Sequence, residues 1–314
     1  MINSLKDHVF WKYAFGKNGI FSGDLDLAFV NIKNVMRFSY MFFAVIIFMQ
    51  LQNVTVYQNT TLIEPIWAMV IFQGLDPSML VFVFQSISII ILFLIFFIPK
   101  NHTLRILFFI FFFLIIALDS SFGKISHGFH FSLLLAFFFA LIPSEKVSNY
   151  KIKSILMFAT AQFCLLMAYS LTGFWKLFWG VIQLFKEDVS LFSPLALRNM
   201  LIHQFEVAGP TVIGLWVMEH YALCYLFYLI AVSIELFALL IFFKANMHKI
   251  WGVLILSLHI GIELIVGVSS HAIFYTVCLL LVASPFAKQT NFKETLLCLP
   301  VISQLRWLHN KKSN

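Results

Sequence analysis

Lys176, Glu235, His259 and Glu263 lie inside apolar runs of the chain. A charged side chain near the middle of a bilayer costs about 2.5–3.5 kcal/mol to insert, so each is a candidate functional group. Lys176 closes the segment Tyr169-Ser170-Leu171-Thr172-Gly173-Phe174-Trp175-Lys176-Leu177, and Glu235 stands in Val232-Ser233-Ile234-Glu235-Leu236-Phe237. His259 and Glu263 are four residues apart and share one face of a helix. Asp119 ends one apolar run, His127 and His130 introduce the next, and His271 opens the last. The chemistry these groups could perform together is proton abstraction, with a lysine as base and a histidine orienting it or stabilising charge. A partly dry pocket shifts proton affinities by several units. Burial disfavours the charged form of a lysine and a neighbouring carboxylate favours it.

Each group also has a plainer use. A lysine at a helix end flanked by tryptophans can extend to the headgroups. His259 and Glu263 can hydrogen-bond to each other, Glu235 can hold two helices together, and His127 and His130 can lie at the surface. No HExxH or similar spacing points to a metal, and no phosphate-binding loop, GxGxxG turn or GxSxG elbow is present.

The elements that must position these groups follow from composition. The chain has 314 residues, 61% of them apolar and 11% charged, with mean hydropathy +0.93. A soluble domain carries about 25% charged residues, so a soluble globular protein is excluded. Apolar runs recur near residues 35–52, 78–98, 104–118, 126–142, 155–177, 221–243, 250–268 and 271–286. Bare backbone is costly in lipid and no alternating pattern suggests a barrel, so the runs predict an all-α, polytopic transmembrane bundle of about eight spans. The third and last runs are short for a crossing. Pro99 and Pro143 follow two of the runs, where proline ends a helix without breaking it.

Basic residues set the threading, because Lys and Arg collect in cytoplasmic loops. Of 21 such residues, only Lys124, Lys186 and Arg198 fall in the alternate set of loops, and Lys176 falls in or at the end of a span. Both termini are therefore predicted to be cytoplasmic. Residues 1–34 form a cytoplasmic segment, 35–286 the membrane domain with outer loops 53–77 and 178–220, and 287–314 a basic cytoplasmic tail. Trp67, Trp175, Trp179 and Trp216 fall near the outer interface, and Trp11, Trp251 and Trp307 near the inner one. The net charge of +7 is then topology and contact with anionic lipid, with no nucleic-acid partner implied. The apolar stretches Leu62–Phe72 and Val212–Val217 in the outer loops are too short to span. The four cysteines fall in spans or on the cytoplasmic side, which disfavours a disulfide framework.

Taken in chain order, several segments resemble one family. They are Arg37 opening the first span, Ile125-Ser126-His127-Gly128-Phe129-His130 before the fourth, and Gln162, Tyr169 and Gly173-Phe174-Trp175-Lys176-Leu177 in the fifth. Glu235 in the sixth and Leu258-His259-Ile260-Gly261-Ile262 in the seventh complete the set. Together they resemble the HTTM superfamily, the membrane domain shared by vitamin K-dependent gamma-carboxylases and bacterial proteins of the sporulation-delaying toxin maturation type. The resemblance implies an outward-facing pocket among spans three, four, five, seven and eight. In it Lys176 takes the place of the lysine regarded as the base that initiates oxygenation of reduced vitamin K. His127, or nearly as well His130, takes the place of the carboxylase histidine. Tyr169, Gly173, Glu235, His259, Glu263 and His271 become supporting pocket residues, a reduced quinone the implied cofactor, and the inner or plasma membrane of the cell the implied location.

Two departures bear on function. Only the short basic tail follows the last span, where the carboxylases carry a large substrate-binding region, so protein carboxylation is not expected. The family's Trp and Gly after the lysine segment are also not cleanly reproduced. Three readings follow: a lysine-base enzyme acting on a lipid-soluble, quinone-like substrate, a non-enzymatic maturation or export partner of a secreted peptide, and a transporter using Glu235 and His259 as proton sites.

Overall fold

The computed structural model describes residues 20–21, 23–51, 65–122, 127–186, 189–268 and 271–287. Among them every regular element is helical. The helices are α1 (Leu25–Leu51), α2 (Pro77–Phe97), α3 (His102–Ser120), α4 (His130–Leu141), α5 (Tyr150–Lys186), α6 (Pro194–Ala208), α7 (Val212–Glu219), α8 (Tyr221–Leu236), α9 (Ala238–Phe242), α10 (His248–Val266) and α11 (His271–Val277). A π-helical turn, Cys278–Val282, continues α11. Local chemistry starts several of them. Asp76 and Asn101 accept hydrogen bonds from the first turns of α2 and α3, and Ser193 and Thr211 do the same for α6 and α7. Pro77 and Pro194 occupy first-turn positions, where no N–H partner is lost.

Five helical segments are long and apolar enough to cross a membrane, and the protein is an integral membrane protein built as a helical bundle. Neighbouring helices alternate in direction, as side chains at their ends record. Glu145, between α4 and α5, pairs with Lys33 of α1 at 3.4 Å and with Lys100, between α2 and α3, at 2.7 Å. Lys151 at the start of α5 pairs with Asp26 at the start of α1. Phe286, past the π-helical turn, packs edge-on against Phe21 and Phe158, and His248 opening α10 meets Ser284 at 2.8 Å. One end of the bundle therefore gathers the starts of α1, α3, α5 and α10 and the ends of α2, α4 and α11. Among the described residues, Lys33, Lys100 and Lys151 lie at this end, in keeping with the charge segregation expected from the sequence.

α5 stands at the centre, packed against α1, α4, α8 and α9. Its 37 residues make a helix about 55 Å long, so it runs well beyond the predicted span 155–177. Residues 178–186 of the predicted outer loop are thus helix, and α6 and α7 also fall within that loop. α7 meets α8 at 108°, and the pair counts as one span at most. The predicted span 221–243 is interrupted at Phe237, where α8 gives way to the short α9. α4 and α11 are short and pack on each other inside the bundle, with Ser132 and Thr276 side chains 3.1 Å apart. A second, smaller apolar cluster of Leu197, Leu201, Val217, Cys224 and Val266 ties α6, α7, α8 and α10 into a layer of their own.

The interface reading of the tryptophans divides. Trp67, Trp175, Trp179 and Trp216 are half or more exposed. Trp251 instead turns inward and donates its indole N–H to the Ile234 carbonyl at 3.1 Å, stitching α10 to α8. Trp11 and Trp307 lie outside the described residues.

Candidate functional site

One face of α5 carries the site. Gln162, Tyr169, Gly173, Lys176 and Gly180 recur at three-, four- and seven-residue steps, which brings them onto a single stripe. Gly173 is where α5 touches α8. A Cβ there would overlap the backbone N and Cα of Leu236, so only glycine permits this approach. Ser170, one turn earlier, fastens the contact. Its hydroxyl donates to the Leu236 carbonyl at 2.9 Å and accepts from the Leu239 N–H at 2.7 Å, filling the gap in the backbone ladder where α8 breaks.

The close approach sets Lys176, one turn beyond Gly173, beside Glu235. The ammonium donates to both carboxylate oxygens, at 2.8 and 2.7 Å. The partners are unequally placed, with 38% of the lysine side chain exposed against 6% of the glutamate. Lys176 is therefore held by a buried carboxylate from the neighbouring helix rather than by a histidine.

A second pair lies on the same stripe one heptad back. Tyr169 and His259 share a 2.5 Å hydrogen bond between the phenol oxygen and Nε2. The Tyr169 ring stacks on Phe131 of α4, and His259 packs against Phe274 of α11. His259 Nδ1 is buried without a partner among the described residues. His259 is thus joined to Tyr169 across the bundle, and the His259–Glu263 pairing considered from spacing is replaced by this contact. Further down, Gln162 donates to the Leu280 carbonyl at 2.5 Å and to Ser284 at 3.0 Å, which itself meets His248.

Lys176 borders a cavity of about 680 Å³ between α5, α6 and α8. Trp175, Trp179 and Tyr228 supply aromatic walls, and Gln183 and Asn199 supply amides. The lining differs from the pocket expected among spans three, four, five, seven and eight, since the layer made by α6 and the first turns of α8 closes it instead. The physical reason is the length of α5, which carries Lys176 past the level of α4 and α11.

The remaining predicted residues gather elsewhere. His130 opens α4 and His271 opens α11, and the two helices are joined by the Ser132 and Thr276 hydroxyls. His271 is exposed and Glu263 half-buried. None of His130, His271 and Glu263 lines the Lys176 cavity. His127 lies in a single 3₁₀ turn, His127–Phe129. Its side chain, and residues Lys124, Ile125 and Ser126, fall outside the described residues. Among the described residues no group of three His, Cys, Asp or Glu side chains could hold a metal.

Sequence reasoning missed two features. Tyr228 and Asn199 line the cavity from segments with no distinguishing pattern. Arg105, counted as a loop cation, is instead 1% exposed. It donates to the carbonyls of Phe139 at 3.1 Å, Ile142 at 2.5 Å, Pro143 at 3.1 Å and Pro99 at 3.1 Å. It therefore closes the C-terminal end of α4, where carbonyls lack helical partners and positive charge is favoured. The signal that could have found it is Pro143, whose ring ends α4 and strands those carbonyls.

No family model, no curated protein and no solved structure matches the chain.

Proposed function

We propose that this chain is an eight-span membrane protein of HTTM type, with both termini cytoplasmic, residing in the inner or plasma membrane. In this reading it is an enzyme that uses Lys176 as a base on a lipid-soluble, quinone-like substrate. The observation that carries the reading is the placement of Lys176. It borders a cavity with flat aromatic walls, and its ammonium is fixed on a buried carboxylate. A planar ring fits between tryptophan and tyrosine faces, and a few placed polar groups in an otherwise apolar cleft are the usual form of a ligand site.

The depth of the site agrees with a substrate that arrives through lipid. From Ile155, where the charged start of α5 ends, to Lys176 is 21 residues, or about 32 Å of helix. The hydrocarbon core is about 30 Å thick, so Lys176 stands at its outer boundary. An ammonium cannot take a proton, so base chemistry begins with Lys176 passing its proton to Glu235 within the pair. The freed amine can then accept a proton from an acidic hydroxyl of the substrate. Tyr169 and His259, joined by their own hydrogen bond one heptad back along α5, support the site from outside the cavity.

The test supplies purified protein with a reduced naphthoquinone and oxygen and follows loss of the reduced form. Turnover by the native chain, abolished in a folded Lys176→Ala variant, is the expected result. No turnover, or turnover untouched by that substitution, overturns the catalytic reading.

One observation favours the maturation or export reading over a transporter. The layer of α6 and α7 presents apolar side chains outward, with Val212 87% and Trp216 50% exposed, a surface suited to a peptide partner. Peptide export that survives Lys176→Ala and fails when α7 is made polar would favour that reading.

A further inference from the structure

We propose that the groove between α1 and α2 is a binding site for an anionic glycerophospholipid, with its acyl chains along the groove and its phosphate on Arg37. The groove encloses about 800 Å³ and runs from Asn34, Arg37 and Pro99 at one end to Ala44 and Ile89 at the other. Its walls are apolar and aromatic, including Phe93 and Phe97, and its only charged lining residue is Arg37.

Three features choose this occupant. First, the length is right. Residues 34–44 rise about 15 Å along α1, antiparallel to residues 89–97 of α2, which is the depth of one leaflet of a core about 30 Å thick. Second, the charge lies at the correct end. Arg37 is at the pole of the bundle that holds Lys33, Lys100 and Lys151, where the basic loop residues collect. Third, its charge is available. Glu145 takes both Lys33 and Lys100, and Asp26 takes Lys151, whereas no carboxylate among the described residues lies within 4 Å of Arg37. An exposed guanidinium at the mouth of an apolar groove presents a planar fork that pairs with phosphate in bidentate fashion. Basic pockets between transmembrane helices near the cytoplasmic surface are suited to such headgroups. This site is separate from the Lys176 cavity and does not depend on the enzymatic reading.

The test is native mass spectrometry of the full chain, delipidated in detergent and offered equal amounts of dioleoyl phosphatidylglycerol and dioleoyl phosphatidylcholine. Because the acyl chains are identical, any preference reports the headgroup. One anionic lipid should be retained per chain about fivefold over the zwitterionic one, which is the contribution of one basic residue near a membrane surface. Arg37→Ala, at an exposed position, should bring the two lipids to parity, and Arg37→Lys should restore part of the preference. Ala44→Trp, which fills the groove, should lower retention of both. Lys146→Ala removes the same charge from the same pole, away from the groove, and should leave the preference intact. Equal retention by the native chain, a preference that survives Arg37→Ala, or an equal loss in Lys146→Ala overturns the proposal. A chain dimer that replaces the lipid adducts and disappears in Ala44→Trp would assign the groove to a second copy instead and would likewise overturn it.

Discussion

The Lys176–Glu235 pair predicts an unequal double-mutant cycle. The carboxylate is 6% exposed and receives the ammonium on both oxygens, whereas 38% of the lysine side chain faces the cavity. Lys176→Met strands a buried carboxylate. Breaking a buried pair in this way costs about 3–5 kcal/mol, and the open side of this one points to the lower end, about 3 kcal/mol. Glu235→Leu strands an ammonium that can turn into the cavity and meet water, at a cost of about 1 kcal/mol. The double variant leaves no orphan charge. It should cost no more than about 1 kcal/mol, since an apolar replacement of both partners is often neutral. The two sites should therefore couple by about 3 kcal/mol. The assay is equilibrium unfolding of purified protein in mixed micelles of mild detergent and dodecyl sulfate, followed by far-ultraviolet circular dichroism. Equal single losses, or a double loss equal to their sum, would refute the reasoning that a buried carboxylate is held by a partly solvated lysine.

Four further outcomes are expected. Gly173→Ala should destabilise the bundle by about 1–3 kcal/mol through overlap with the Leu236 backbone. Gly261→Ala, in α10 with nothing near its Cβ, should be neutral or stabilising by up to about 1 kcal/mol in the same unfolding assay. Arg105→Leu should leave the carbonyls at the end of α4 unpaired at about 1–3 kcal/mol for each one that water cannot reach. Arg105→Lys should recover only part of that, because an ammonium lacks the guanidinium fork, and unfolding midpoints would compare the two. The Lys100 and Lys33 ammonium groups beside Glu145 hold its carboxyl below its ordinary value of 4.5. Their contribution is then fully present above that value and is lost as pH falls through the lower folded one. A stability profile on the acid side should show this loss in the native chain and lack it in Glu145→Gln.

How much of this could be read in advance differs between the fold and the site. Apolar runs and basic loops were enough for a helical membrane bundle, since both report on solvent, and solvent preference is a local property of each segment. The gathering of Lys33, Lys100 and Lys151 at one pole follows the same rule. Helix lengths were less accessible. α5 continues through Trp179 and Gln183, with Gly180 packed on Leu191 of the following segment, and hydropathy does not register such a contact. Within the site, Tyr169, Gly173 and Lys176 could be placed on one face because helical spacing is arithmetic. Their partners could not. Glu235 and His259 reach them from helices that are distant in sequence, and which residues meet depends on the register between helices, which Gly173 and Ser170 set. For the same reason His259 faces Tyr169 rather than Glu263 one turn along its own helix.

The unequal heights of the helices have a consequence for the surrounding membrane. α5 is about 55 Å long, whereas the 12 residues of α4 rise only about 18 Å, well short of the hydrocarbon thickness. Because α4 and α11 pack on each other inside the bundle, their shortfall is met mainly by the taller helices around them, and only where their flank reaches lipid does the match favour a thinner membrane, at fractions of a kcal/mol per ångström of mismatch. Bilayers of short acyl chains should then accommodate the protein more readily than thick, sterol-rich ones.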